Sequence, residues 1–251
     1  IIEAEFLRLG YTHIYLKTKS SSQVLEGINA ENWRTEPKPM PLLAMENGQK
    51  FYIDVETGQK TGFFIDQRDN RELLKSFANG KKILNTFSYS GGFSVYALAG
   101  NAAQVHSVDI SKDAIAQCDA NVALNSGDGA HQSFAMDCFD YLKQTEEEYD
   151  IIVLDPPAFA KNARSVPNAT RGYKELNMVA IKKIKAGGLI FTFSCSQNID
   201  KSLFQKIVFG AAADARRNVR ILQHLSQTPD HPVNIFHPEG EYLKGLLLWV
   251  E

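Results

Sequence analysis

The chain has 251 residues, of which 44% are hydrophobic and 22% are charged, as is typical of a globular protein with a buried core. This composition excludes disordered, collagen-like and coiled-coil proteins. The formal net charge is only −2, from 27 Lys+Arg and 29 Asp+Glu. Binding of a polyanion would therefore need a local patch of cations, because the surface as a whole provides no attraction.

No stretch of the sequence approaches the roughly 20 consecutive apolar residues that span a bilayer. Glu3, Glu5 and Arg8 lie where a signal peptide would have its apolar core. We therefore expect a cytoplasmic protein with no membrane partner. Because the sequence opens at Ile1 without a methionine, we expect it to be a piece of a longer protein. The cysteines are odd in number and lack metal-like spacing, which predicts reduced thiols and no metal site; they are Cys118, Cys138 and Cys195.

The first 70 or so residues show no alternation of strands and helices. A strand pair over residues 42–55 is interrupted by Asn47-Gly48, a strong signal for a hairpin turn. The prolines of residues 37–41 fix extended backbone and indicate a linker or an edge segment. We predict a small mixed α+β domain over residues 1–66, followed by the main domain over residues 67–251.

From about Leu84, β-branched runs alternate with amphipathic helical stretches, as in the βα units of a parallel sheet. The predicted strands are residues 82–86, 105–109, 133–136, 151–155, 189–194, 219–223 and 246–250. The clearest helices are predicted over residues 111–125, 173–185 and 201–217, with the second ending before Gly187-Gly188. The last two strands flank a loop without helical pattern, so we predict an antiparallel end to a mostly parallel seven-stranded α/β sheet.

Two features at the start of the main domain indicate a ligand. The strand that contains Asn85 runs into a turn with Gly91-Gly92, which lets a ligand approach the backbone at the carboxyl edge of the sheet. About 20 residues later the next strand ends at Asp109, where a carboxylate binds ribose hydroxyls in dinucleotide folds. The alternative is that the turn is only a tight connection and that Asp109 caps the following helix.

The phosphate-binding motifs Gly-x-Gly-x-x-Gly and Gly-Lys-Ser/Thr are absent from the sequence. A ribose without a phosphate therefore fits better than a dinucleotide. Asp137 follows the third strand, where it would accept a hydrogen bond from an adenine amino group, or would cap the next helix. Asp109 and Asp137 together suggest an adenosine site.

The fourth strand ends in Asp155-Pro156-Pro157-Ala158-Phe159. Consecutive prolines end strand pairing and form a stiff corner, which would project Asp155 over the ligand crevice. The alternative is a plain strand terminator.

The fifth strand ends at Ser194-Cys195-Ser196, at the same carboxyl edge. Cysteine is usually a small buried hydrophobe. The flanking serines and the position at the strand end favour a nucleophilic role for Cys195, whereas Cys118 and Cys138 are expected to be structural.

With these motifs the sequence resembles the class I S-adenosylmethionine-dependent methyltransferases, whose fold is Rossmann-like. Within that class it is similar to the bacterial ribosomal large-subunit RNA cytosine-C5 methyltransferases of the RlmI type. The resemblance runs from Gly58 to about Val250. It is carried by the strings at residues 58–71, 85–99, 155–159, 171–174, 193–196 and 230–232.

The resemblance implies S-adenosylmethionine as cofactor, ribosomal RNA of the large subunit as partner, and a possible homodimer. It places Phe63 or Phe64 over the cofactor and Gln67 within hydrogen-bond reach. The implied cofactor-binding residues are Phe63, Gln67, Asn85, Phe87, Ser88, Tyr89, Gly91, Asp109, Ile110, Asp137, Asp155 and Pro156. The implied substrate-binding residues are Phe159, Lys161, Arg171 and Lys174, with Arg164 nearby; the cations would pair with RNA phosphates or remain solvated loop charges. The family also has an N-terminal PUA-type RNA-binding domain, which is missing here, so residues 1–66 would be part of its next domain.

The implied catalytic residues are Cys195 and Asp155. Cys195 would add to C6 of cytosine and activate C5 for methylation, and Asp155 would hold the base. Three alternatives stay open at this point: a uracil-C5 methyltransferase, a purine amino-group methyltransferase in which Cys195 is a bystander, and a non-catalytic RNA-binding module. The base that removes the C5 proton is not identified by the sequence.

Overall fold

The computed structural model describes residues 2–17, 33–34, 40–125, 129–160 and 162–251. The chain divides into two compact units. The first comprises Ile1–Ala44 and Tyr52–Phe63, and the second comprises Met45–Phe51 and Phe64–Glu251. The division into domains after Asp66 stays a prediction. Within the described ranges, no helix has the length and apolar character needed to cross a membrane.

The first unit contains helix α1 (Ile2–Arg8) and an antiparallel pair of short strands, β1 (Tyr15–Leu16) and β2 (Trp33–Arg34). The Lys17 ammonium donates hydrogen bonds to three backbone carbonyls, those of Val55, Gly58 and Lys60, at 3.1, 2.5 and 3.0 Å. A single side chain therefore holds the loop over residues 55–60 in place. Of the predicted extended segment at residues 37–41, the first three residues lie outside the described part of the chain.

The predicted hairpin is confirmed as strands β3 (Leu42–Glu46) and β4 (Gln49–Ile53). Its turn residues Asn47 and Gly48 have φ values of 49° and 82°. Both values lie in the left-handed region that a two-residue hairpin turn requires and that Asn-Gly readily adopts.

The second unit carries the remaining elements. Its strands are β5 (Lys82–Thr86), β6 (Gln104–Asp109), β7 (Ala130–Ala135), β8 (Tyr149–Leu154), β9 (Ile184–Ser194), β10 (Val219–Leu225) and β11 (Lys244–Val250). Its helices are α2 (Arg68–Phe77), α3 (Gly92–Ala99), α4 (Lys112–Ala123), α5 (Cys138–Gln144), α6 (Val166–Lys183) and α7 (Lys201–Ala215), with 3₁₀ turns at Ile65–Gln67, Ala163–Ser165 and Pro238–Gly240.

These strands form one seven-stranded sheet in the order β10-β11-β9-β8-β5-β6-β7. Strands β5 to β9 pair in parallel, whereas β11 is antiparallel to both β9 and β10. The predicted α/β fold with an antiparallel end is confirmed. The strand order reverses between β5 and β8, and ligands of open α/β sheets bind at the carboxyl edge beside such a switch point.

The core has two layers because successive strand side chains point to opposite faces of the sheet. Leu84 and Ile152 pack on one face with helices α5, α6 and α7, and Ile83 and Ile151 pack on the other with helices α2 and α3. Both faces are covered, as parallel sheets require.

The second predicted helix differs from the structure at both ends. Helix α6 begins at Val166, seven residues before the predicted start, because Pro167 fits its first turn and Asn162 and Ser165 form a capping box just upstream. It ends at Lys183, so the glycine pair does not terminate it. Gly187-Gly188 lies inside β9, where the pairing with β8 passes from Ile184 directly to Leu189. Gly187 has a φ of 79°, which suits a bulge in a strand.

Candidate active site

The turn after β5 has an unusual backbone. Phe87, Tyr89 and Gly91 have φ values of 53°, 45° and 79°, so every second residue is in the left-handed region. Such values are costly for residues other than glycine and concentrate at functional sites.

Hydrogen bonds to neighbouring elements hold this turn in place. The N–H of Phe87 donates to Cys138 Sγ at 3.1 Å, and the N–H of Ser88 donates to the carbonyl of Val108 at 3.0 Å. The hydroxyl of Ser88 is buried and has no hydrogen-bond partner among the described residues. An orphaned buried hydroxyl indicates a missing polar partner at this position.

Gly91 shows why the turn needs a glycine. A Cβ at this position would lie 2.5 Å from Cys118 Sγ, and the φ of 79° is itself unfavourable for other residues. Beside it, Asn85 donates to Ser94 Oγ at 2.9 Å, and Ser94 Oγ lies 2.7 Å from Ser107 Oγ. Asn85 is therefore a buried member of a hydrogen-bond network that supports the turn. It lies close to the predicted site, but its side-chain amide donates to another residue of the protein.

Asp109, at the end of β6, is tied to the same turn. Its Oδ2 accepts from the N–H of Tyr89 and its Oδ1 from the N–H of Ser111, both at 2.9 Å. The N-cap of helix α4 is Ser111, whose hydroxyl accepts from Ala114 N–H. Each oxygen of Asp109 keeps a second lone pair for a ligand hydroxyl. Next to it, Ile110 is exposed over 71% of its surface.

Asp137 caps helix α5. Its Oδ1 accepts from the N–H groups of Phe139 and Asp140 at 2.8 and 3.1 Å, which satisfies two donors at the helix start. The predicted role of Asp137 as a helix cap is therefore confirmed. Its Oδ2 takes no part in the cap. Capping of the helix is compatible with the predicted bond to an adenine amino group, because a cap that uses one oxygen leaves the other oxygen available.

The aromatic pair before helix α2 divides between the two units. Phe63 belongs to the first unit and is buried, whereas the ring of Phe64 contacts that of Tyr89 edge-on, with centroids 5.4 Å apart. Gln67 is buried and its Oε1 accepts from Asn70 Nδ2 at 2.6 Å. Within the second unit it is therefore Phe64 that lies beside the glycine turn.

The Asp-Pro-Pro corner follows β8 directly. Asp155 is half-buried, Pro156 is buried and Pro157 is exposed. Phe159 packs against Tyr173 of helix α6 with ring centroids 4.6 Å apart. The N–H of Ala160 donates to Ser196 Oγ at 3.1 Å, which fixes this corner to the end of β9.

Cys195 follows the last residue of β9 and is half-exposed. Its Sγ lies 3.9 Å from the carbonyl oxygen of Pro156, so the thiol is adjacent to the Asp-Pro-Pro corner. Cys118 and Cys138 are buried, and burial raises the pKa of each thiol to about 12. Cys195 is therefore the cysteine placed for chemistry, since the thiolate is the reactive form and the other two are protonated.

The predicted phosphate-binding cations differ in their surroundings. Lys174 pairs with Asp214 at 2.8 Å, whereas Arg171 is exposed and donates to Asn168 one turn earlier on the same helix. Arg164 is exposed in the 3₁₀ turn. Lys161 lies outside the described residues.

Two groups beside Cys195 were not anticipated. Lys244, the first residue of β11, is 4% exposed, and its ammonium donates to the carbonyls of Ser196 and Tyr242 at 2.6 and 2.7 Å. The hydroxyl of Tyr242 donates to Asp66 Oδ2 at 2.6 Å, and Asp66 Oδ1 is buried with no partner among the described residues. The sequence shows only that Lys244 begins an apolar strand, which does not indicate that its side chain is buried.

One group of potential metal ligands occurs among the described residues. Ligand atoms of Cys118, Asp119 and His131 lie within 4.8 Å of one another. His131 Nε2, however, lies 2.8 Å from Ser107 Oγ, and the Cys118 thiol is protonated because burial raises its pKa. The group is thus an extension of the network behind the glycine turn. The absence of a metal site stays a prediction.

The residues at this edge fit S-adenosylmethionine. The turn offers the orphaned hydroxyl of Ser88, Asp109 offers acceptors suited to a ribose, and Asp137 retains an oxygen for an adenine amino group. The model of the S-adenosylmethionine-dependent methyltransferase family matches residues 11–233. The chain belongs to this family.

Two curated relatives are both named ribosomal RNA large subunit methyltransferase I. The protein from Aeromonas salmonicida is 45% identical over 212 residues, which cover 83% of this chain and 54% of the relative. That from Shewanella denitrificans is 40% identical over 253 residues, covering 98% of this chain and 64% of the relative. The methyltransferase thus spans between about half and two thirds of the length of these relatives.

A solved structure of a protein assigned as a methyltransferase, in complex with S-adenosylhomocysteine, is similar to this chain with a TM-score of 0.76 at 31% identity. The match covers 85% of this chain and 57% of the other. The predicted Rossmann-like methyltransferase fold and the predicted cofactor are confirmed by the family and by this likeness.

Proposed function

We propose that the methyltransferase forms 5-methylcytosine in ribosomal RNA of the large subunit through a covalent adduct on Cys195. The observation that carries this proposal is the position of the Cys195 thiol, half-exposed at the carboxyl end of β9 and 3.9 Å from the carbonyl of Pro156. The substrate class is supported by the names of the two relatives.

The chemistry requires a thiolate because C5 of cytosine is a poor nucleophile. Addition of Cys195 to C6 forms a C–S bond and moves the electron pair of the C5–C6 double bond to C5, which then behaves as an enamine carbon. When bound, S-adenosylmethionine supplies the methyl group as an electrophile. A base then removes the C5 proton, the C–S bond breaks, and its electrons return to sulfur, which restores both the ring and Cys195.

Asp155 is proposed to hold the cytosine. It occupies the first position of a corner that two prolines stiffen and that Ala160 anchors to Ser196. A carboxylate there would accept from the exocyclic amine and so orient C6 towards the thiolate. Cytosine can be reached in this way only when it is unstacked, so the target is a loop or extruded nucleotide.

The cofactor would lie along the carboxyl edge, with the adenosine between the glycine turn, Asp109 and Asp137. The remaining residues proposed to line it are Phe63, Gln67, Asn85, Phe87, Ser88, Tyr89, Gly91, Ile110, Asp155 and Pro156. In this proposal the adenosine lies near β6 and β7 and the reacting end lies near β8 and β9, which is supported by the positions of Asp109 and Asp137 at one side of the sheet edge and of Cys195 at the other.

Phe159, Lys161, Arg171 and Lys174 are proposed to contact the RNA. Arg171 and the nearby Arg164 are exposed and so are better placed for a phosphate than Lys174, which is paired with Asp214. A cytoplasmic location, a homodimer and a domain division after Asp66 complete the proposal.

The test is methyl transfer from labelled S-adenosylmethionine to unmodified large-subunit RNA, with nucleoside analysis of the product. We expect labelled 5-methylcytidine from the wild-type protein and from Gln197→Ala, an exposed control two residues from the thiol, and no product from Cys195→Ala. RNA containing 5-fluorocytidine should form a stable adduct with the wild type only, because fluorine cannot leave as a proton does. A methylated purine or 5-methyluridine, or activity without the thiol, would contradict the proposal.

A further inference from the structure

The buried ammonium of Lys244 lies at the same end of β9 as Cys195. Lys244 is opposite Ser194 in the antiparallel pairing of β11 with β9. Its Nζ donates to the carbonyl of Ser196, one residue beyond Cys195, at 2.6 Å. A positive charge is thus fixed next to the strand end that carries the thiol.

This charge lacks a carboxylate partner. Lys244 is 4% exposed, and among the described residues no Asp or Glu lies within ion-pair distance of it. Its two hydrogen-bond partners there are the neutral carbonyls of Ser196 and Tyr242, which leaves one of three ammonium donors unused. A buried cation that is not matched by an anion is costly, and natural proteins pair such charges.

We propose that Lys244 is a positioning residue whose buried ammonium stabilises the thiolate of the half-exposed Cys195, the two forming a lysine–thiolate pair. The proposal deepens the proposed function, on which it rests, by assigning the activation of that nucleophile. The thiol proton leaves to water through the exposed side of Cys195, and the negative charge that remains compensates the ammonium. A cation close to a cysteine is the usual way in which a protein favours the reactive form.

The titration behaviour of Lys244 agrees with this pairing. Burial lowers the pKa of its ammonium, and a negative Cys195 opposes this shift more than the other groups do. The titratable and charged groups around the pair are Tyr173, Asp155, Tyr242 with Asp66 behind it, Glu241, Asp200 and Lys201.

The test is the rate at which iodoacetamide alkylates Cys195, followed by peptide mass spectrometry from pH 5 to pH 10 on the whole chain without RNA or cofactor. In Lys244→Gln, which keeps an N–H donor but removes the charge, we expect the midpoint to rise by at least about one pH unit and the rate at pH 7 to fall about tenfold. Lys244→Arg should restore most of the wild-type profile. Lys201→Met removes an exposed cation that is paired with Glu241 and should change the rate by less than about twofold.

A wild-type profile in folded Lys244→Gln would overturn the proposal, as would an equal shift in Lys201→Met. Lys244→Met serves as the second uncharged variant should the glutamine protein fail to fold, with thermal melting as the check. Because the assay uses neither RNA nor cofactor, a negative result overturns only the pairing of Lys244 with Cys195. Absence of 5-methylcytidine with a normal alkylation profile would overturn only the proposed function.

Discussion

The backbone N–H of Tyr89 donates to Asp109 Oδ2 at 2.9 Å, so the predicted ribose carboxylate also holds the glycine turn. The other oxygen of Asp109 accepts from Ser111, the N-cap of helix α4. One side chain therefore fixes the relative positions of the turn after β5 and the helix after β6. We therefore expect cofactor binding and the shape of the turn to depend on the same carboxylate.

Replacement of Asp109 by alanine should weaken cofactor binding strongly. The variant loses the bond to Tyr89 and the acceptor for the ribose, and hydrogen bonds to a charged group contribute enough that Kd for S-adenosylhomocysteine should rise roughly 10- to 100-fold. Isothermal titration calorimetry measures this directly. Asp113→Ala, an exposed carboxylate in the first turn of helix α4, is the matched control. An unchanged Kd in Asp109→Ala would remove Asp109 from the site.

Gly91→Ala should destabilise the fold more than Gly48→Ala does. Both residues have a left-handed φ, 79° and 82°, but a Cβ at Gly48 meets nothing within 4 Å, whereas one at Gly91 lies 2.5 Å from Cys118 Sγ. We expect a loss of about 1 kcal/mol at Gly48 from backbone strain, and about 3 kcal/mol or more at Gly91 from strain plus overpacking. Urea unfolding gives both values. Equal losses would show that the contact with Cys118 is relieved without cost.

The positions of the strands along the chain could be predicted because each strand carries a strong local signal. The β-branched runs around Ile83, Val105 and Ile151 place the parallel strands, and the absence of a helix between the last two strands indicates their antiparallel pairing. Helix α6 shows the limit of this reasoning. Its first two turns contain Pro167 and few apolar residues, so periodicity finds only the part from Tyr173 onward.

At the candidate site, the sequence could predict which residues stand at strand ends but not which of them use their polar atoms within the protein. Asn85 is engaged with Ser94, and one oxygen of Asp137 caps helix α5. The pairing of Lys244 with the end of β9 joins residues about 50 positions apart and depends on strand register, which periodicity does not give. Long-range polar contacts of this kind follow from tertiary structure alone.

Lowering the pH below about 6.5 should destabilise the protein in part through His106. Burial lowers the pKa of this imidazole, whose Nδ1 lies 3.0 and 2.8 Å from the hydroxyls of Tyr141 and Tyr149. The unfolded chain therefore takes up a proton at a higher pH than the folded protein does. The free energy of unfolding should fall from about pH 6.5 down to the folded pKa and then cease to change on this account.

The measurement is the unfolding free energy by urea between pH 7.5 and pH 5. In His106→Gln the unfolding free energy should depend less steeply on pH than in the wild type, because the variant lacks the proton that His106 takes up on unfolding. Burial also lowers the pKa of His131, which accounts for part of the remaining pH dependence. His224→Gln, at an exposed position, should retain the wild-type slope. A slope in His106→Gln as steep as that of the wild type would contradict the assignment.

Loss of Glu46 should be among the most damaging single changes in the second unit. Arg71 donates to both carboxylate oxygens of Glu46, at 2.6 and 2.9 Å from Nη2 and 3.0 Å from Nε, and the two side chains are only 3% and 10% exposed. Arg71 also donates to the carbonyl of Phe64, the residue whose ring contacts Tyr89 beside the glycine turn. Glu46→Ala removes the carboxylate that accepts from the buried guanidinium of Arg71, which should cost about 3–5 kcal/mol of unfolding free energy. Glu72→Ala breaks the exposed pair with Lys75 and should cost less than about 1 kcal/mol.

The measurement is urea unfolding of these two variants and of the double variant Glu46→Ala with Arg71→Met. It separates the loss of the ion pair from the cost of burying the charge of Arg71. The double variant should recover part of the loss, because it no longer buries the charge that Glu46 neutralises. A double variant less stable than Glu46→Ala would show that Arg71 acts mainly through Phe64.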